Sequence, residues 1–201
     1  MRILIAEDEP IIALALAERL RRLGHEPLGP ARDGLEALDA ARAQRPDLYL
    51  FDIDMPHLDG LHAAATLADE GLRRPVVVIT GVEEPGLLER SIASGVSAYL
   101  TKPIDERQLD AAIRLAAARH SELLQLEAEV QRARQSLADR KLVERAKGLL
   151  MDALKLPEAD AFARLQRAAR NRNVRLPTIA QDVIDQHDLL RRPHDPAHDK
   201  P

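Results

Sequence analysis

Asp47-Leu48-Tyr49-Leu50-Phe51-Asp52-Ile53-Asp54-Met55-Pro56-His57-Leu58-Asp59-Gly60 is the stretch from which the rest of the chain is read. An apolar run bounded by turn formers has the pattern of a buried strand, and this one ends on a carboxylate before entering a loop. Parallel α/β sheets bind ligands at the carboxyl ends of their strands, so Asp52 is expected at the edge of a site. Three other stretches bring matching chemistry to that edge. Glu7 and Asp8 follow the strand-like residues 2–6, Thr80 follows 76–79, and Lys102-Pro103 follow 98–100. Acids, a hydroxyl and an ammonium converging at four strand ends describe a place where a phosphoryl group is handled.

Strand-like and helix-like stretches alternate around this centre through residue 117. Residues 10–23 carry apolar side chains at helical spacing and stop at Gly24. A weaker strand is expected over 26–31, interrupted by Pro30, and Asp33 is placed to cap a helix that ends before Pro46. Helices are expected over 61–69, 85–94 and 104–118, with strands at 76–79 and 98–100 between them. Five βα units of this length predict an α/β fold, a doubly wound parallel sheet with helices on both faces.

The last of these helices has no obvious stop. Leu109, Ala116, Leu123, Val130 and Leu137 recur at heptad spacing, with Ala112, Arg119, Leu126 and Ala133 between them, and no Gly or Pro occurs between Pro103 and Gly148. This is the seam of a coiled coil, able to pair with its copy in a homodimer, or else the face of one helix packed on its own domain. Residues 139–151 continue it as a helix, and together with 158–169 and 176–184 they read as three short amphipathic stretches burying one small core. The segment from His187 on is rich in proline and is expected to be disordered; its histidines His187, His194 and His198 read as solvated rather than as a metal site. The expected organisation is 1–118, a connector at 119–138, a helical module at 139–186 and a tail at 187–201.

Composition agrees with that reading. The 201 residues are 45% apolar and 2% aromatic, so the cores must be aliphatic, and the absence of cysteine excludes disulfides and thiolate metal sites. Without a signal-like leader or a long apolar run, a cytoplasmic protein with no membrane contact is expected. Residues 1–138 hold 16 Lys/Arg against 23 Asp/Glu, whereas residues 139–185 hold 10 against 7. A polyanionic partner would therefore meet the rear module.

Glu7, Asp8 and Asp52, with Asp54 nearby, crowd negative charge at one place. Such carboxylates repel unless a cation neutralises them, and an all-oxygen donor set suits Mg²⁺. Asp52 would then act as a nucleophilic carboxylate forming an acyl phosphate, with Lys102 and Thr80 on the phosphoryl oxygens.

Ala6-Glu7-Asp8-Glu9, Leu50-Phe51-Asp52-Ile53-Asp54-Met55-Pro56 with Asp59-Gly60, Val78-Ile79-Thr80-Gly81 and Tyr99-Leu100-Thr101-Lys102-Pro103 together resemble the receiver domain of two-component response regulators. The resemblance covers residues 1–117 and implies a flavodoxin-like fold and a sensor histidine kinase as phosphodonor. It implies Asp52 as phosphoacceptor, a Mg²⁺ site of Asp8, Glu7, Asp52 and the Asp54 backbone carbonyl, and Thr80 with Tyr99 as a pair that repositions on phosphorylation. It also implies a cis Lys102–Pro103 bond. Glu7 stands where many members have Asp.

In the rear module, Arg164, Arg167 and Arg170 recur every three residues along one flank, beside Asn171-Arg172-Asn173. Guanidinium groups suit RNA because they pair with phosphate and stack on bases. The sole aromatic, Phe162, falls on the core spacing, which argues against a base-stacking platform. Residues 140–151 (Arg-Lys-Leu-Val-Glu-Arg-Ala-Lys-Gly-Leu-Leu-Met), 158–165 and Leu176 with 179–184 resemble an ANTAR domain. That family binds structured RNA, an antiterminator hairpin in the nascent transcript, and so prevents transcription termination. Carried over, the resemblance implies RNA contacts by Arg140, Lys141, Arg145, Lys147, Arg167 and Arg170, less any that pair with Glu144 or Asp160.

Two other readings compete. Asp52-Ile53-Asp54 is similar to the paired aspartates of haloacid-dehalogenase-like phosphatases, but those normally close the first strand, and here two strands precede it. Alternatively the rear helices form a protein-binding or dimerising bundle on the same receiver.

Overall fold

A computed structural model of the chain describes residues 1–81 and 96–191. The helix expected over 85–94 lies outside them, as do His194 and His198. The chain divides into two compact units, Met1–Gln125 and Leu126–Pro201.

The first unit alternates β1 (Arg2–Ala6), α1 (Pro10–Arg22), β2 (Glu26–Ala31), α2 (Gly34–Gln44), β3 (Leu48–Asp52), α3 (Gly60–Asp69), β4 (Val76–Thr80) and β5 (Ala98–Thr101), and ends in the first part of a long helix, α4 (Glu106–Leu154). The strands form one parallel sheet in the order β2-β1-β3-β4-β5. Each central strand is buried on both faces. Leu4, Tyr49, Phe51 and Val78 pack under α2 and α3, while Ile3, Ile5, Leu50, Val77 and Ile79 pack under α1 and α4. Two-sided burial is why these strands read as continuous apolar runs rather than alternating ones.

Local chemistry sets the helix starts. Asp33 and Asp59 cap α2 and α3, accepting from the amides of Glu36 and His62 at 2.8 Å each. Gly60 is required by contact: a Cβ there would overlap the carbonyl oxygen of Asp52. The peptide bonds Gly29–Pro30 and Lys102–Pro103 are cis, the second as expected from the receiver resemblance.

The second unit comprises the remainder of α4, then α5 (Glu158–Arg172) and α6 (Leu176–Arg191). Val143, Ala146, Leu165, Ala169, Ile179, Ala180 and Ile184 form its core, with Phe162 partly buried against them. Asn173, in the left-handed conformation at φ 51°, ends α5 where a break was expected. Residues 139–151 continue the preceding helix, as their pattern predicts, and α4 runs unbroken for 49 residues. One expectation changes. The last helix continues to Arg191, so residues 187–191 are helical rather than tail.

The heptad positions divide between the two units. Leu109 and Ala116 are buried under the sheet, but Leu123, Leu126, Val130 and Leu137 are each about half exposed. Arg119, the polar position of the seam, donates from its guanidinium to the Ser97 carbonyl at 3.1 Å.

Candidate functional site

The strand order reverses between β1 and β3, and the crevice at the carboxyl end of such a switch point is where open α/β sheets bind ligands. Register puts the right residues there. Ala6 pairs with Phe51, so Glu7 emerges beside Asp52, and the amides of Glu7 and Ile53 are tied to the carbonyls of Ala31 and Ile79. On the other side, the Lys102 amide donates to the Thr80 carbonyl at 2.8 Å, carrying β5 past its last paired residue to the same edge. Glu7, Asp52 and Thr80 are almost wholly buried, at 1, 2 and 2% exposure.

Lys102 is the hub. Its Nζ donates to Asp52 Oδ2 at 2.7 Å and to Glu7 Oε1 at 3.2 Å, with Glu9 3.9 Å away. The arrangement is not satisfied by this ammonium. Asp52 Oδ1 and Glu7 Oε2 are buried without a hydrogen bond, although Glu7 Oε2 lies 3.1 Å from Nζ. Burial, followed by the charge of Asp52, pushes the Glu7 carboxyl up to about 7 despite Lys102. Burial pulls Lys102 down, but hydrogen bonds to Asp52 and Glu7 outweigh it and hold its pKa above the ordinary lysine value.

Asp8 adds an exposed carboxylate, and oxygens of Glu7, Asp8 and Asp52 lie within 4.8 Å of one another. Three acids against one ammonium, two of them with an unbonded buried oxygen, fit a hard divalent cation such as Mg²⁺. Asp54 is exposed just beyond Asp52. Tyr99 stands apart: from β5 it pairs with Val78 of β4, on the same sheet face as Thr80, and is 53% exposed. Sequence reading missed how the loop after Asp52 is held. His57 Nδ1 lies 2.9 Å from Asp33 Oδ2, and the Gly34 amide donates to Leu58. His57 has φ 63°, which no local pattern announced.

The cations of the second unit fall into two groups. Arg145 meets Asp188 at 3.1 Å, Arg172 meets Asp182 at 2.5 Å, and Arg175 meets Asp139 at 2.5 Å. Lys147 is 8% exposed and sits between Glu144 at 2.7 Å and Glu158 at 2.6 Å. Those two hydrogen bonds raise the lysine pKa, and the same bond lowers that of Glu158. Arg140, Lys141, Arg164, Arg167 and Arg170 are exposed and, among the described residues, have no carboxylate within ion-pair reach. The Glu144–Lys147 half of the bridge was visible as an i, i+3 pair; Glu158 lies across a turn and was not.

The family profile described as response regulator receiver domain matches residues 3–114, and that of the ANTAR domain matches residues 131–184. The chain is 44% identical over 184 residues to the transcriptional regulatory protein PdtaR of Mycobacterium tuberculosis, covering 92% of this chain and 89% of that one. It is 33% identical over 122 residues to the alkaline phosphatase synthesis transcriptional regulatory protein PhoP of Bacillus subtilis, covering 61% of this chain and 50% of the relative. Among solved structures, it resembles the signal receiver domain of a modulated diguanylate cyclase from Desulfovibrio desulfuricans, with TM-score 0.55 and 34% identity over 62% of this chain and 97% of that one. It also resembles a DNA-binding response regulator of the LuxR family from Staphylococcus aureus, with TM-score 0.55 and 26% identity over 58% and 98% of the two chains. Among the described residues, no helix is long and apolar enough to cross a membrane.

Proposed function

We propose, on the premise that the chain belongs to the response regulators that carry a receiver domain followed by an ANTAR domain, that it is a phosphorylation-controlled regulator acting on RNA. Residues 1–118 take up the phosphoryl group, 119–138 connect, and 139–186 bind an RNA hairpin in a nascent transcript to prevent termination. The donor is a phosphohistidine on a sensor kinase, or a small acyl phosphate. An Asp52 oxygen attacks its phosphorus; the new O–P bond forms as the donor bond breaks, and imidazole or acetate leaves with the bonding pair.

Asp52 Oδ1 carries this reading. It is buried and unbonded, while Lys102 holds Oδ2. Glu7, Asp8 and Asp52, with the Asp54 carbonyl, hold Mg²⁺, which when bound neutralises charge on the transferring group. Lys102 stays as a fixed cation, Thr80 donates its hydroxyl to a phosphoryl oxygen, and the exposed Tyr99 follows Thr80 as the phosphorylated face rearranges. The half-exposed seam at Leu123, Leu126, Val130 and Leu137 supports a homodimer through the connector.

Intact-mass measurement after acetyl phosphate and Mg²⁺ tests the first half. One added phosphoryl group is expected on the native chain and none on Asp52→Asn; equal labelling of both overturns it. A selected hairpin RNA and duplex DNA, titrated across a salt series, test the second half. RNA preference is expected. Equal binding, or none, leaves a protein-binding or dimerising output instead.

A further inference from the structure

We propose that Lys147 makes no RNA contact and instead fixes the start of α5, so that Arg164, Arg167 and Arg170 present the edge that grips phosphate; this rests on the RNA-binding reading above. Three observations carry it. Lys147 is buried to 8% exposure and already bonded to two carboxylates, so reaching a phosphate would cost both bonds. One of those partners, Glu158, is the first residue of α5, and the residue before it, Pro157, offers no side-chain cap. A helix start without a capping side chain needs another tie, and the bridge from α4 supplies one. The third observation is the state of the α5 arginines. They are exposed, and even Asp160, four residues before Arg164, makes no ion pair with it.

The geometry of the row suits a phosphate backbone. Successive arginines advance by about 4.5 Å along the helix and turn by about 60° around it, a drifting line rather than a flat patch. Acids gather in the first turn of α5 and Arg170 and Arg172 in the last, so the cationic end is also the end farthest from Glu158. Rotation of α5 about its start would swing all three guanidinium groups away from a bound strand. Lys147 is thus a positioning residue for the arginine row.

The test uses the full chain and a stem-loop RNA selected on it from a random library. Dissociation constants are measured across a salt series for wild type, Arg164→Gln, Arg167→Gln, Arg170→Gln, Lys147→Met, Lys147→Arg and Glu158→Gln. Each arginine variant is expected to weaken binding about three- to tenfold at low salt and to lower the salt slope by about 0.7–0.9. Lys147→Met is expected to weaken binding about as much with the slope unchanged, and Lys147→Arg to restore it through a fork that still spans two carboxylates. Glu158→Gln separates the two roles by sign. It weakens binding if the bridge positions α5, and strengthens it if Lys147 is a phosphate ligand released from its acid. A reduced slope in Lys147→Met, tighter binding in Glu158→Gln, or unchanged slopes in the arginine variants would overturn the proposal. Failure of the wild-type chain to enrich any RNA would instead remove the RNA reading, and this one with it.

Discussion

Two lysines in this chain each bridge two carboxylates, and their surroundings give them opposite consequences. Lys102 spans Asp52 and Glu7, whose side chains are 3% and 0% exposed. Lys147 spans Glu144 and Glu158, whose side chains are 56% and 68% exposed. At the first bridge, water cannot complete the carboxylates, and Asp52 Oδ1 and Glu7 Oε2 remain without partners. At the second, solvent reaches whatever the ammonium does not. The same three-group motif therefore makes a site with an unmet demand for a cation in one unit and a fastening in the other. Burial decides which, because an incompletely paired charge is costly only where water is excluded.

The comparison breaks most visibly if each lysine loses its charge. Lys102→Met strands two buried carboxylates and is expected to cost about 3–5 kcal/mol in urea unfolding without divalent cation. If the loss is no larger than that of Lys147→Met, burial is not what distinguishes the bridges. Mg²⁺ supplies the next effect. At about a hundred times its dissociation constant it should stabilise the native chain by about 2.7 kcal/mol, and leave Glu7→Gln with Asp52→Asn nearly unmoved in a thermal melt.

pH sharpens the contrast further. The Glu7 carboxyl is raised from 4.5 to about 7 in the fold, so the native state holds its proton more tightly than the unfolded chain does. Its stabilising contribution is complete below pH 4.5 and is lost as pH rises through 7. Melting in EDTA should therefore show a decline across that window that Glu7→Gln lacks. The smallest effect is expected from Lys147→Met, with little change in melting temperature, because both partner acids remain hydrated. Its consequence should appear in RNA affinity instead.

Much of this was legible in the chain. Strands buried on both faces announce themselves as apolar runs, and each chemical group at the front follows its own run directly. Asp33 was placed correctly at a helix start, because a short acceptor before a helix has few other uses. The long helix was legible too, since nothing between Pro103 and Gly148 could stop it. Gly148 does not stop it either: it sits inside α4, where an added Cβ would meet open space.

What escaped the sequence depended on contacts across turns. Lys147 looks like any surface lysine until Glu158 folds back onto it. Arg145 likewise meets Asp188, a residue expected to lie in the tail. Proline and histidine beyond residue 186 suggested an end to order, but α6 continues to Arg191. Composition sees the segment's average, whereas the helix follows the pattern of its individual turns.

Gly60 sets a boundary on how this molecule can be altered. Its amide reaches the Ile53 carbonyl at 3.3 Å, and its missing side chain leaves room for the backbone oxygen of Asp52. No bulk can be grafted there without displacing the backbone of Asp52. Asp54, exposed two residues beyond Asp52, is where a side chain can be exchanged while that floor stays put.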